Sequence, residues 1–137
     1  MNKSNSEMPG TYIRTTRAIT VNVDPIFLDE ESDPNAGLFF WAYHVVITNN
    51  GEDTVQLISR YWRITNALGA LHEVRGEGVV GEQPRLAPGE SFQYTSGTPL
   101  STPSGIMGGS YQLISSDGDA FEIDIPTFSL DSPYEGR

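Results

Sequence analysis

Apolar residues recur at every second position through most of the chain, which is the period of a β-strand and not of a helix. The clearest run covers residues 38–49 and predicts a strand with one apolar face. That face carries Phe39, Trp41, Tyr43, Val45 and Ile47. No window shows a convincing amphipathic helical pattern, so the chain is predicted to be all-β.

The first half of the chain is predicted to hold four strands. Alternation over residues 13–23 predicts one strand that ends near Pro25, and the acidic segment 29–37 is predicted to be a loop. Residues 49–53 include Asn and Gly, which favour a turn, so the strand 38–49 is predicted to form a hairpin with 55–65. A further turn leads into a short strand over 70–75.

The second half is predicted to alternate between long loops and short strands. Gly and Pro indicate loops over 76–88 and 98–109, with a strand over 90–96 between them. Residues 110–115 and 120–125 are predicted to form a hairpin. About seven or eight strands with regular turn signals predict an antiparallel β-sandwich.

Length and composition indicate a single soluble domain. The 137 residues are 37% hydrophobic and contain no cysteine, which excludes disulfides and thiolate metal sites. No signal peptide or bilayer-spanning stretch is present, and we expect a cytoplasmic protein with flexible tails at 1–11 and 132–137. The net charge of −10 disfavours nucleic acid as a partner, because phosphates would be repelled.

Residues 76–81 match the G-x-G-x-x-G string, but two prolines follow where a dinucleotide fold needs a helix. One interpretation is a connection whose glycines allow unusual backbone angles or close approach. The alternative is an anion or nucleotide site built from backbone amides and flanking arginines. Its candidate residues are Arg75, Gly76, Gly78, Gly81 and Arg85.

The segment 60–63 alternates arginine with aromatic residues on a predicted strand. One interpretation is a core Trp62 with arginines at the rim. The other is a recognition surface made of Arg60, Tyr61 and Arg63, since Tyr and Arg are enriched at binding hot spots.

No metal, cofactor or catalytic site is predicted. His44 and His72 are the only histidines, too few for a typical zinc site. The acidic segment 29–33 lacks the spacing of a calcium loop. No serine lies in a G-x-S-x-G motif, so we expect no enzyme activity.

Several ordered segments resemble the ApaG (CorD) family, and the resemblance covers about residues 12–131. The segments that carry it are 55–65, 73–84, 86–89, 92–97, 102–105, 107–111 and 125–130. The resemblance implies an immunoglobulin-like or fibronectin type III-like sandwich without established enzyme activity. It also implies an association with cobalt tolerance and magnesium efflux, and protein contacts in related domains.

For members of this family, pyrophosphate or nucleotide binding has been proposed through the glycine segment, here Gly76, Gly78 and Gly81. Tyr61 stands where the family pattern has His, which removes one candidate metal ligand. Three hypotheses follow: a protein-interaction module, a pyrophosphate or nucleotide sensor, and a phosphate-handling enzyme. The interaction module is preferred, with an unnamed protein partner and a homodimer also open.

Overall fold

The computed structural model describes residues 11–134 and shows nine strands. Of the predicted tails at 1–11 and 132–137, residues 1–10 and 135–137 therefore lie outside the described residues. The strands are β1 (Tyr12–Thr16), β2 (Ile19–Phe27), β3 (Phe39–Asn49), β4 (Val55–Asn66), β5 (Leu71–Glu77), β6 (Arg85–Leu86), β7 (Ser91–Leu100), β8 (Ser104–Ser115) and β9 (Ala120–Asp131). No helix among residues 11–134 is long and apolar enough to cross a lipid bilayer.

The strands form two antiparallel sheets that pack face to face. Sheet I has the order β1-β2-β3-β7, and sheet II has the order β5-β4-β8-β9 with β6 beside β4. The predicted β-sandwich, the architecture that immunoglobulin-like and fibronectin type III domains share, is confirmed. The sheets bury one apolar face each, as the alternation in β3 predicts.

Aromatic side chains fill the centre of the sandwich. Trp62, only 2% exposed, lies 5.0 Å from Tyr43, 6.5 Å from Tyr111 and 6.1 Å from Phe128 between ring centroids. Trp41, 4% exposed, packs edge-on against Phe27. Both tryptophans thus lie on the core face, as the period-two pattern indicates.

The predicted single strand over 13–23 is wrong. Arg17 and Ala18 both have positive φ and form a tight turn between β1 and β2. This turn lacks the Gly or Asn that usually marks a hairpin. The strand also continues through Pro25 to Phe27.

The predicted hairpin between 38–49 and 55–65 is also wrong, because β3 and β4 belong to different sheets. The buried side chain of Asn49 holds the crossing between them. Its Nδ2 donates to the carbonyls of Asp53 at 2.8 Å and Leu86 at 2.9 Å, and its Oδ1 accepts from Gly51 N at 2.9 Å.

The predicted loop over 98–109 is wrong as well. β7 continues to Leu100 and β8 begins at Ser104, so only a short connection remains. The predicted loop over 76–88 is shorter than expected, since β5 runs to Glu77 and β6 occupies two of its residues. At the C-terminal end, Ser132 is buried and Tyr134 packs near Phe27 and Phe39.

The two lateral sides of the sandwich differ. On one side, Arg14 of β1 forms a salt bridge with Asp124 of β9 at 3.0 Å, and Arg17 in the turn after β1 forms one with Asp119, just before β9, at 2.9 Å. On the other side lie the outer strands β5 and β7. A cleft of about 140 Å³ opens there, lined in part by Tyr43, Arg60 and Val74.

Candidate functional site

A β-bulge in β4 determines which way the candidate residues face. The pairing with β8 shifts between Leu57 and Ser59, so the buried positions change from Val55 and Leu57 to Trp62 and Ile64. Arg60 therefore points to the same side as Trp62, towards the open side of the sandwich. Tyr61 and Arg63 point outwards, so the three residues of the predicted recognition surface do not share one face.

The Arg60 side chain reaches the glycine segment. Its Nη1 donates hydrogen bonds to the carbonyls of Glu77 at 3.1 Å and Gly78 at 2.8 Å. A Cβ atom at position 76 would lie 2.8 Å from the Arg60 guanidinium, so a side chain there would force the guanidinium to shift. The segment thus presents carbonyl oxygens to a cation within the same chain.

The backbone amides of Gly78 and Val79 in the glycine segment donate hydrogen bonds within the chain. Gly78 N donates to Ile58 O at 2.8 Å, and Val79 and Glu82 exchange two hydrogen bonds across a tight turn. Val80 and Gly81 at the tip both have positive φ, as does Gly78. These are the unusual backbone angles that a glycine-rich connection predicts.

The two arginines of the predicted anion site lie apart. Arg75 pairs with Tyr61 across β4 and β5, whereas Arg85 pairs with Gln56 across β4 and β6. Their partners Tyr61 and Gln56 are five positions apart in β4, which corresponds to roughly 16 Å along the strand. Arg75 and Gly76 line one open cleft of about 600 Å³ together with Arg60, and Arg85 does not line it.

Tyr61 lies between two guanidinium groups on the outer face of sheet II. The Cζ atom of Arg75 is 4.4 Å from the centre of the Tyr61 ring, and that of Arg63 is 5.8 Å away. The Tyr61 hydroxyl donates a hydrogen bond to Glu73, which raises the pKa of Tyr61. We call Tyr61, Arg63, Glu73 and Arg75 the Tyr61 patch.

A polar network lies beside the Tyr61 patch in the same cleft. Gln112 accepts from Ser59 Oγ at 2.7 Å and donates to Glu122 at 2.8 Å, and Ser110 also donates to Glu122 at 2.8 Å. Sequence reasoning missed this network and Glu73, because their proximity depends on the pairing of β4 with β5 and β8. The predicted turn at 66–69 is the sequence signal that could have revealed Glu73, since this turn sets Glu73 opposite Arg63.

The histidines lie on different sheets. His44 in β3 contacts Thr95 through Nδ1 at 2.8 Å and Gln93 through Nε2 at 2.9 Å. His72 is exposed on β5. Within residues 11–134, no group of three or more histidine or acidic side chains is placed to hold a metal ion.

Comparisons with known proteins agree on one family. The model of the ApaG domain matches residues 29–115. A Protein ApaG from Parvibaculum lavamentivorans is 56% identical over 126 residues, covering 92% of this chain and 97% of that protein. A Protein ApaG from Bradyrhizobium diazoefficiens is 61% identical over the same shares.

Solved structures show the same fold. The crystal structure of the Bordetella pertussis protein described as ApaA superposes with a TM-score of 0.82 at 46% identity, covering 92% of this chain and 99% of that one. The C-terminal domain of wzt shares the fold alone, with a TM-score of 0.56 at 12% identity over 98% of this chain and 87% of that one. The family model, the relatives and the Bordetella pertussis structure together place this chain in the ApaG family.

Proposed function

We propose that the protein is a non-catalytic protein-interaction module that docks its partner on the Tyr61 patch. The observation that carries this proposal is the Tyr61 ring held between the guanidinium groups of Arg63 and Arg75. Tyr and Arg dominate binding hot spots. Side chains ordered before binding also lose less entropy when a partner docks.

The charges of the patch favour an acidic partner segment. In the described part of the chain, the salt bridges engage Arg14 and Arg17, whereas Arg63 and Arg75 are in none. Both are exposed and keep donors for a carboxylate, which an arginine can bind through two hydrogen bonds. Because the protein carries a net charge of −10, the partner must contact these local cations closely.

Quantitative capture from the native host tests this proposal. Immobilised wild-type protein should retain a defined partner, and Tyr61→Ala or Arg75→Ala should reduce the amount retained about tenfold, as for a hot spot worth more than 1 kcal/mol. Arg85→Ala is the matched control, since it removes an exposed arginine of sheet II outside the patch. Equal capture by all variants would remove the patch from the function.

A pyrophosphate or nucleotide sensor is the second candidate. The open cleft supports it, because Arg60, Arg75 and Gly76 line it together. Glu77 and Glu122 line the same cleft and would repel an anion, so affinity should be weak, on the order of 10 μM to 1 mM. NMR titration with pyrophosphate should shift the signals of residues 75–77 in the wild type. Arg75→Ala should lose affinity, whereas Arg85→Ala, which lies outside the cleft, should keep it. Shifts elsewhere would reject it.

We also propose that any role in cobalt tolerance or magnesium efflux acts through the protein partner, in the cytoplasm. The support is that His44 is engaged by Thr95 and Gln93 on sheet I while His72 lies on sheet II. Cobalt normally requires several imidazole or thiolate ligands at one site. Isothermal titration showing sub-micromolar Co²⁺ binding would contradict this.

A further inference from the structure

Strand β5 has an exposed edge, since it is the terminal strand of sheet II and pairs with β4 alone in the described structure. Two hydrogen bonds fix its orientation: Asn66 N donates to Ala70 O at 3.0 Å, and Gly78 N donates to Ile58 O at 2.8 Å. Backbone groups alternate in direction along an antiparallel strand. The even-numbered residues therefore face β4, and the odd-numbered ones direct their N–H and C=O groups to the free edge.

The odd-numbered residues of β5 are Leu71, Glu73, Arg75 and Glu77. If a second copy of β5 pairs antiparallel about Val74, Glu73 faces Arg75 of the second copy, and Arg75 faces the second Glu73. Both residues of each pair direct their backbone N–H and C=O groups to the free edge, as hydrogen-bonded pairing requires. Opposite charges directly across a sheet stabilise the pairing.

The neighbouring registers are disfavoured. A two-fold axis at Glu73 would place two glutamates opposite each other, and an axis at Arg75 would place two arginines opposite each other. Like charges directly across a sheet are destabilising. An axis at Gly76 would also place Arg75 opposite Glu77 of the second copy, but it would pair only residues 75–77 of β5. The axis at Val74 pairs the whole of β5 with opposite charges at its centre, and it is therefore the favoured register.

Exposed apolar residues beyond the ends of β5 support the same register. Leu68 is 85% exposed in the turn before β5, and Val80 is 56% exposed in the turn after it. The two are equally far from Val74 along the chain. Pairing about Val74 therefore brings the turn with Leu68 to the same end of the joined sheet as Val80 of the second copy.

We propose that two copies of the chain associate through antiparallel β5 edges with their two-fold axis at Val74. Sheet II then continues through both copies in the order β9-β8-β4-β5-β5-β4-β8-β9. The two β4 strands lie about three strand spacings apart, or about 14 Å. The two Tyr61 residues are also offset by two positions along the strands, because each lies level with Arg63 of the other copy. The association does not require the Tyr61 patch to bind anything.

Charge reversal at this edge tests the proposal. Wild type should show reversible dimerisation by analytical ultracentrifugation at concentrations up to about 0.5 mM, which reveals dimers with micromolar dissociation constants. Glu73→Arg and Arg75→Glu should each weaken dimerisation about tenfold or more, because each creates two like-charge pairs across the axis. The double variant carrying both changes should recover the dimer.

Glu77→Arg is the matched control, since it makes the same charge change on the same edge opposite Leu71. It should dimerise nearly as wild type, and circular dichroism should show every variant folded. A monomeric wild type over the whole range would overturn the proposal. So would a double variant that dimerises no better than the single ones.

Discussion

At the scale of single residues, Arg60 and Arg75 have roles that their neighbours in sequence do not reveal. Arg75 adjoins Gly76, yet its guanidinium lies over the Tyr61 ring. Arg60 adjoins Tyr61, yet it hydrogen-bonds the carbonyls of Glu77 and Gly78. Alternation in β4 and β5 explains both placements, because residues next to each other in a strand point to opposite faces.

Two glycines of the same turn should differ in their tolerance of alanine. Gly78 and Gly81 both have positive φ, but a Cβ at Gly78 would lie 2.3 Å from the Glu82 carbonyl oxygen, whereas nothing lies within 4 Å at Gly81. Gly81→Ala should cost about 1 kcal/mol of unfolding free energy, and Gly78→Ala about 3 kcal/mol. Urea denaturation measures both, and equal costs would contradict the structure.

The buried tryptophans should dominate the stability of the core. Truncating Trp41 or Trp62 to alanine should cost about 3–5 kcal/mol, because each leaves a cavity among packed aromatic rings. Leu68→Ala is the control and should change stability by less than about 0.5 kcal/mol, since Leu68 is 85% exposed. Chemical denaturation measures the free energy of unfolding of the three variants. Tryptophan variants as stable as the Leu68→Ala control would refute the burial of Trp41 and Trp62 in the core.

At the scale of elements, alternation predicted the strands with one apolar face and failed where other signals competed. The strand over 38–49 is confirmed almost to the residue as β3. The segment 98–109 was predicted to be a loop because it is rich in Gly and Pro. Pro99 is nevertheless accommodated in β7, because β7 is the outer strand of sheet I.

Sheet membership could not be predicted from the local sequence. A short turn joins β3 to β4 and resembles a hairpin loop, but Asn49 directs the chain across to the other sheet through contacts with Asp53 and Leu86. The Leu86 contact spans 37 positions in sequence. The same dependence on distant pairing hid Glu73 and the Ser110–Gln112–Glu122 network, although Tyr61, Arg63 and Arg75 themselves were identified.

The N-terminal half of β8 should behave as a strand in solution. Residues 105–109 pair with β4 on one side and largely with β9 on the other, so their amides are held within a sheet interior. We expect slow hydrogen exchange there, comparable to that of β4. Exchange as rapid as in the exposed 116–119 turn would restore the loop interpretation.

At the scale of the whole molecule, the sandwich buries three tyrosines whose hydroxyls favour the protonated form. Burial raises the pKa of Tyr43, Tyr94 and Tyr111 above the ordinary value of 10.0. Tyr94 and Tyr111 share a hydrogen bond of 2.5 Å between their hydroxyl oxygens. The folded state therefore binds more protons than the unfolded state once the pH exceeds about 10.

Stability should consequently fall in alkaline solution. It should be unaffected by these tyrosines below about pH 10, where both states keep the protons, and should decrease as the pH rises further. Thermal midpoints followed alongside tyrosinate absorbance measure this. A thermal midpoint that stays constant to about pH 11 would show that the tyrosines ionise as readily in the folded state as in the unfolded state. They would then not be buried as described.

The proposed docking surface also predicts which side of the molecule a partner contacts. The Tyr61 patch occupies the outer face of sheet II, and Ile26 provides a comparison on sheet I, where it is 45% exposed. A photo-crosslinking amino acid can replace either residue, and the reaction traps only molecules in direct contact. Before crosslinking, each variant should have the same thermal unfolding midpoint as the wild type, which shows that the replacement leaves the fold intact.

Photo-crosslinking in the native host tests the proposed docking surface most directly. The crosslinker at Tyr61 should yield a protein adduct of defined mass, and Arg75→Ala in the same chain should diminish that adduct. The crosslinker at Ile26 should not yield it. Absence of an adduct at Tyr61, or the same adducts from both positions, would contradict a partner bound at the Tyr61 patch.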